Sequence, residues 1–383
     1  MIINNTILII SALLLLIAIV APFFNPFFRK IEISEDNTEG GETHDLPPIS
    51  IIITAHDNAL EIKQNLPLIL NQQYPTDYQV IVVAEKGDSE TEDVLKQLST
   101  DNQHLYYTLL PESSRYMSRK KLAITLGVKA AKNEWIILIE PYSKPMSEHW
   151  LATMARNCNS KIDLVIGYSN YDSDAHLYQR FERLQTECYS LREAQTNIAY
   201  RHFGSNLMIR KNCFMQMEGF RSNLHLVRGE YDFLVNDIAT EDNTVTELSP
   251  LAHISDNAPT HKEWIYQHMY YIESRKNLKR NLRHRLTFNI DQLLLHFSTI
   301  AILSAIAISV IMSVWIITIA ATVSLLCTIT LRSYFMAKRL KAFNEHISSI
   351  LALPLQLAVI WHNMKYRINH KFADKLDFTT HKL

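Results

Sequence analysis

Two long uncharged stretches constrain this chain before anything else does. Residues 7–24 (ILIISALLLLIAIVAPFF) carry no charge, and from Gln292 to Leu331 only His296 interrupts a run of about 40 uncharged residues. A membrane-spanning helix needs roughly 20 such residues. As a single helix the second run would be roughly 60 Å long, about twice the hydrocarbon core, so it must fold back near Met312–Trp315 as two spans. The first run has neither a positive leading segment nor a small-x-small cleavage site, and Pro22, Phe23 and Phe24 close it, so it reads as an uncleaved anchor. A third apolar stretch, ISSILALPLQLAVIW (347–361), is short and holds Pro354 between basic flanks. That pattern suits a re-entrant or interfacial helix with both ends on one side.

The charges set an expected orientation. Arg29 and Lys30 follow the anchor, RKNLKRNLRHR (275–285) precedes the pair of spans, and Arg332, Lys338, Arg339 and Lys341 follow it. Basic residues collect on the cytoplasmic side, which predicts a multi-pass protein of the cytoplasmic (inner) membrane with its middle domain facing the cytoplasm. The basic cluster reads first as this topology signal, and second as a contact for anionic lipid or pyrophosphate headgroups. A formal net charge of −1 implies no polyanionic partner for the whole chain, and nothing suggests nucleic-acid binding. Four scattered cysteines without a C-x-x-C pair argue for reduced thiols and against a zinc site.

Between the membrane segments, an acidic, glycine-containing linker ending in Pro47-Pro48 reads as a flexible tether. The expected organisation is an anchor (1–30), a linker (31–48), a soluble domain (49–258), a basic membrane-proximal helix (259–288), a transmembrane hairpin (289–331) and a closing amphipathic, re-entrant or membrane helix with a basic tail (332–383). Within the domain, short β-branched runs (ISIIIT, QVIVVA, WIILI, DLVIGY) alternate with helical patterns. Ser89 and Ser118 are expected N-caps, the former with Glu92 as a capping box. The alternation implies an α/β domain with a mostly parallel sheet, which binds ligands at the carboxyl ends of its strands. No glycine-rich dinucleotide or P-loop motif is present.

Those strand ends are Thr54-Ala55-His56-Asp57-Asn58, Ala84-Glu85-Lys86-Gly87-Asp88 and Glu140-Pro141-Tyr142. Carboxylates there could recognise a nucleoside or hold a hard cation on a diphosphate. Lys120 and Lys121, at a helix start, could contact phosphate or form a solvated first turn.

The order PPISIIITAHDNALEIKQNLPLILNQQYP, QVIVVAEKGDSETEDVL, SRKKLAITLGVKAAKNEWIILIEPYSKPMSEHWL, FGSNLMIRKNCFMQMEGF and VRGEYDFLVNDIATEDNTVTELSP resembles family 2 glycosyltransferases of the GT-A fold, in their membrane-anchored bacterial form. The resemblance implies a nucleotide-sugar donor, a lipid-linked or polysaccharide acceptor, membrane lipids as partners, and Mg2+ or Mn2+ on the donor diphosphate. It places Thr54, Asp57, Glu85, Asp88, Lys120, Lys121, Glu140 and Gln267 around the donor, Glu140 on the metal, and Asp232 or Glu230 as catalytic base. The polar motifs depart from the family's. Glu140-Pro141-Tyr142 stands where Asp-x-Asp is expected, Tyr231 where a catalytic carboxylate is expected, and Gln267-His268-Met269-Tyr270-Tyr271 keeps the glutamine of Gln-x-x-Arg without its arginine. Two functions therefore stay open: an inverting hexosyltransferase-like enzyme of cell-envelope glycan synthesis, or an inactive paralogue serving as scaffold or partner subunit of an active glycosyltransferase.

Overall fold

The computed structural model describes residues 4–33, 46–110 and 118–379, the side chains of residues 283 and 284 excepted. Most of the expected tether, residues 34–45, and the last four residues lie outside that range. The chain forms two units: Met1–Ile31 with Arg280–Lys365, and Glu32–Lys279 with Tyr366–Leu383.

In the first unit, helix α1 spans Asn5–Val20. Its charge-free sequence leaves Leu8, Ile9, Leu13 and Leu16 exposed while Leu14 and Ala18 are buried. The rest of this unit follows the second one in the chain.

The second unit is built on a seven-stranded sheet. In chain order its elements are β1 (Ile49–Ala55), α2 (Ala59–Leu70), β2 (Tyr78–Glu85), α3 (Ser89–Asp101), β3 (Leu105–Leu110), α4 (Arg119–Ala130), β4 (Trp135–Ile139), β5 (Ser143–Pro145), α5 (Trp150–Ala155), β6 (Leu164–Gly167), β7 (Ser169–Tyr171), α6 (Leu177–Thr196), β8 (Leu207–Arg210), α7 (Lys211–Gln216), α8 (Glu230–Ile238), β9 (Thr244–Glu247), β10 (Ile254–Asp256) and α9 (His261–Ser274). The sheet order is β3-β2-β1-β4-β8-β6-β9, and a small sheet runs β5-β10-β7. In the large sheet β8 is antiparallel to both β4 and β6, and the remaining pairs are parallel.

Central strands buried on both faces explain their unbroken apolar runs. Ile49, Ile51 and Ile53 pack with Val80, Val82, Ile137 and Ile139 on one side. On the other side α4 lies close to the sheet at Gly127, where a Cβ would fall 2.5 Å from Ile52 Cγ2. Gly127 stands seven residues after Lys120, so both occupy the same side of α4, and this close approach sets the depth of the helix start. Ser118 caps α4, its Oγ accepting from the Lys121 N–H. At α3 the cap is Asp88 rather than Ser89: the Asp88 carboxylate accepts from the Thr91 N–H, and Ser89 is the first helical residue. A carboxylate one residue earlier supplies the acceptor and a favourable charge at the helix N-terminus.

Two further helices reach the span length. They are α10 (Leu282–Ile311) and α11 (Trp315–Ala342). With the N-terminal segment Asn5–Phe24 they are the three described helices long and apolar enough to cross a membrane. The chain reverses at Met312–Val314, with Ser313 at φ 57°. Leu14 and Ala18 bury against Ile302 and Ala321. Inside this apolar unit Arg332 pairs with Asp291 at 3.6 Å and donates to Gln356 Oε1 at 2.6 Å. A charge taken out of water needs such partners. The last helix, α12 (Ala352–Phe372), begins in the stretch around Pro354 and ends in the second unit. There Tyr366 accepts from Trp264 Nε1 at 2.8 Å and His370 pairs with Glu273 at 3.0 Å.

Candidate functional site

The carboxyl ends of β1 and β2 are stitched together by short polar side chains. Asp57 adopts φ 54°, a left-handed conformation that Asp tolerates better than most residues. Its N–H donates to Asp88 Oδ2 at 2.8 Å, while the Asn58 N–H donates to Thr91 Oγ1 at 3.3 Å. Burial works against ionisation of Asp88, but hydrogen bonds from Thr91 and Asp57 outweigh it and hold the carboxyl below its usual range. Glu85, at the end of β2, pairs with Arg119 Nε at 2.6 Å and His56 Nδ1 at 2.9 Å. Thr54 sits on β1 in register with Val83.

The end of β4 is held rigidly. The Glu140 N–H donates to Ser205 Oγ at 2.9 Å, the Pro141 carbonyl accepts from Asn65 Nδ2 at 3.0 Å, and Ser143 meets both Ser205 and Asp256. Glu140 itself is 3% exposed. Its Oε1 accepts from the Lys120 ammonium, which also lies 5.4 Å from the centroid of the Tyr231 ring. The Tyr231 phenol faces the same carboxylate. Burial first, then the charge and hydrogen bond of Glu140, push that phenol well above its ordinary value. Burial also pushes the Tyr142 phenol well up, reinforced by Glu140 and Asp256.

Helix α8 brings up the remaining carboxylates. Gly229 precedes it at φ 104°, and a Cβ there would meet Phe233 and Ser274 at 2.9 Å each, so only glycine fits this corner. Glu230 Oε2 accepts from the Gly229 N–H at 3.1 Å, and its buried Oε1 has no hydrogen-bond partner among the described residues. Asp232 pairs with Arg201 Nε at 3.2 Å; burial raises its carboxyl, against the lowering effect of that guanidinium. Lys121 turns inward to donate to the Asn223 and Leu226 carbonyls at 2.6 and 2.7 Å. Burial lowers it to about 8, opposed by the charge of Glu230. Its ammonium thus anchors the loop that leads to Arg228 and Gly229. Arg228 lies within electrostatic reach of both Glu230 and Glu140. Gln267, on α9, accepts from the Tyr171 hydroxyl at 3.1 Å.

The structure therefore joins Lys120, Glu140 and Tyr231 in one contact, and Asp57 with Asp88 in another. Glu85, Asp232, Lys121 and Gln267 are each tied to a different partner. Sequence reading passed over Arg119, Arg201, Ser205 and Arg228. Arg119 and Arg228 stand beside residues it singled out, whereas Arg201 and Ser205 could be found only through the tertiary contacts they make.

No protein-family model matches the chain. Probable glycosyltransferase YdaM of Bacillus subtilis (strain 168) is 25% identical to it over 151 residues, 38% of this chain and 35% of that protein. The match thus spans about a third of the relative's length. Among solved structures, the mannosyltransferase PcManGT from Pyrobaculum calidifontis, in complex with GDP-Man and Mn2+, has a TM-score of 0.52 at 13% identity, covering 93% of this chain and 99% of that one. The fold is that of the GT-A glycosyltransferases. Residues 1–349 of Staphylococcus aureus TarS are also similar, with a TM-score of 0.41 at 13% identity over 82% of this chain and 92% of that one.

A GT-A site with a divalent ion needs oxygen ligands converging on one point. On a diphosphate most of those oxygens come from phosphate and water, so one or two free carboxylates would have to be supplied here; no larger group of three or more His, Cys, Asp or Glu gathers among the described residues. Glu140 is satisfied by an ammonium, Pro141 offers no side-chain donor, and the Tyr142 phenol stays protonated. The residues present at this position do not fit a divalent metal.

Proposed function

We propose that this chain is a membrane-bound glycosyltransferase-like protein that takes a nucleotide-sugar donor at the carboxyl ends of β1, β2 and β4. The supporting observation is that Asp57, Asp88, Glu85 and Glu140 stand at the carboxyl ends of neighbouring strands of a GT-A sheet, with Lys120 reaching Glu140 from the start of α4. In this reading Thr54, Asp57, Glu85 and Asp88 line the nucleoside side. Lys120 and Glu140 lie at the diphosphate, Lys121 supports the adjoining loop, and Gln267 closes the acceptor side. The acceptor is a lipid-linked or polysaccharide glycan, reached from the cytoplasmic face of the inner membrane. A base needs an oxygen free to take the acceptor proton. Asp232 is committed to Arg201, so transfer would fall to Glu230, whose Oε1 is unpartnered among the described residues.

A second reading has its own support. Tyr231 stands where a carboxylate is expected, its phenol is pushed far from ionisation, and Glu140 and Asp232 are both neutralised by cations. That arrangement suits a non-catalytic subunit which keeps the fold to hold a donor, a glycan or an active glycosyltransferase.

One experiment separates the two. The full-length protein in detergent is screened against UDP- and GDP-sugars by thermal shift and by release of free nucleoside diphosphate with a membrane extract as acceptor. A donor at a hundred times its Kd stabilises the native state by about 2.7 kcal/mol, or roughly 5–10 °C for a unit of this size. A shift with turnover that Glu230→Gln abolishes supports transfer. A shift without turnover supports the non-catalytic subunit, and no shift with any donor refutes donor binding altogether.

A further inference from the structure

The misfit between this site and a divalent ion has a specific form. A dication held by two carboxylates is a neutral assembly, and so is one ammonium held by one carboxylate. Glu140 supplies the single carboxylate, Lys120 the cation, and Tyr231 contributes an uncharged phenol beside them. Swapping one arrangement for the other conserves the charge of the site while removing the need for metal. The position is built and not incidental. The Glu140 side chain is 4% exposed and that of Lys120 19%, the Glu140 backbone is pinned by Ser205, and Gly127 lets α4 sit deep enough against β1 to bring Lys120 there. An ammonium has three donors, and only one is used by Glu140 Oε1. Arg228 adds a guanidinium within electrostatic reach of the same carboxylate, and a guanidinium fork matches phosphate oxygens.

We propose that the Lys120 ammonium takes the place of a divalent cation, so that this site binds the diphosphate of a nucleoside or prenyl diphosphate without metal, with Arg228 as the second phosphate contact. The inference rests on the reading of the β4 end as a diphosphate site, and it defines how that site is charged.

The test is calorimetric titration of the full-length protein in detergent with UDP, GDP and farnesyl diphosphate, each in EDTA and in Mn2+. At least one ligand should bind with the same Kd in both buffers, and which one does so identifies the nucleotide or the lipid as the source of the diphosphate. Lys120→Met should weaken that binding about tenfold to a hundredfold, the loss expected for one charge-assisted hydrogen bond. Lys120→Arg should retain most of it, and Arg228→Gln should weaken it by a smaller factor. Because Lys120→Met leaves Glu140 buried and unpaired, the double variant Lys120→Met/Glu140→Gln removes both charges together and should show the same loss with the fold intact. Binding that requires Mn2+ would overturn the inference while leaving the diphosphate reading in place. So would an unchanged metal-free Kd in the double variant. Failure of all three ligands in both buffers would overturn both.

Discussion

His202 gives the sharpest measurable consequence of how the site is supported. The ring is 2% exposed, its Nε2 bonds the Ser205 carbonyl at 2.7 Å, and Ser205 Oγ in turn holds the Glu140 N–H. Burial lowers the imidazole from 6.5 to about 4, only partly offset by the Ser205 carbonyl, with Arg183 and Arg201 adding to the fall. The unfolded chain therefore takes up a proton near pH 6.5 that the folded protein refuses until about pH 4. Stability from this residue is complete above pH 6.5 and is lost as pH falls towards 4, by about 3 kcal/mol at about 1.4 kcal/mol per pH unit. Glu187 runs the other way. Burial pushes its carboxyl from 4.5 up to about 7, against Arg183 and Arg201, so its contribution is present below pH 4.5 and is lost as pH rises to 7. In the wild type the two slopes oppose each other between pH 4.5 and 6.5. His202→Gln, which can still donate to Ser205, removes one of them. Its melting temperature relative to wild type should rise on acidification from pH 6.5 to 4 by roughly 6–12 °C for a unit of this size. Differential scanning fluorimetry in detergent across that range reads it directly. Parallel wild-type and variant curves would refute a neutral buried His202, and Glu187→Gln should tilt the curve in the opposite sense.

Other substitutions probe the parts that position the site. Lys121→Met removes the ammonium donor from the Leu226 carbonyl and from the Asn223 carbonyl, which keeps only the Leu226 N–H, and should cost about 2–3 kcal/mol in chemical denaturation, with faster proteolysis in the 221–229 loop as a local readout. Gly229→Ala imposes φ 104° on a residue with a Cβ and pushes into Phe233 and Ser274; a loss of about 2–3 kcal/mol is expected, while the same change at Gly87, where a Cβ meets nothing within 4 Å, should cost only its backbone strain. Gly127→Ala overpacks Ile52 Cγ2 and should lower stability by about 1–3 kcal/mol; in an Ile52→Ala background, where that methyl is gone, the same change should cost markedly less in the same denaturation assay.

The scaffold was legible because its signals are local. Buried parallel strands write themselves as apolar runs such as ISIIIT and WIILI, α4 carries its own cap in Ser118, and the spans announce themselves by length. Even so, the cap of α3 lay one residue away from the expected position, since Ser89 and Asp88 both offer an acceptor and only the backbone decides between them. The site was legible as positions but not as pairings. Glu140 could be found from its strand, yet the fate of its charge depends on Lys120, 20 residues earlier, and on Tyr231, on another helix. Lys120 and Lys121 are adjacent and chemically identical in sequence. About 100° of helical rotation sends one ammonium to a carboxylate and the other to two backbone carbonyls. The same holds for Asp232, whose role turns on Arg201, a residue no motif marks. A motif read along the chain reports which groups are present. What a carboxylate can do in this fold is set by the cation that reaches it first, and in this protein that cation is a lysine supplied by the neighbouring helix.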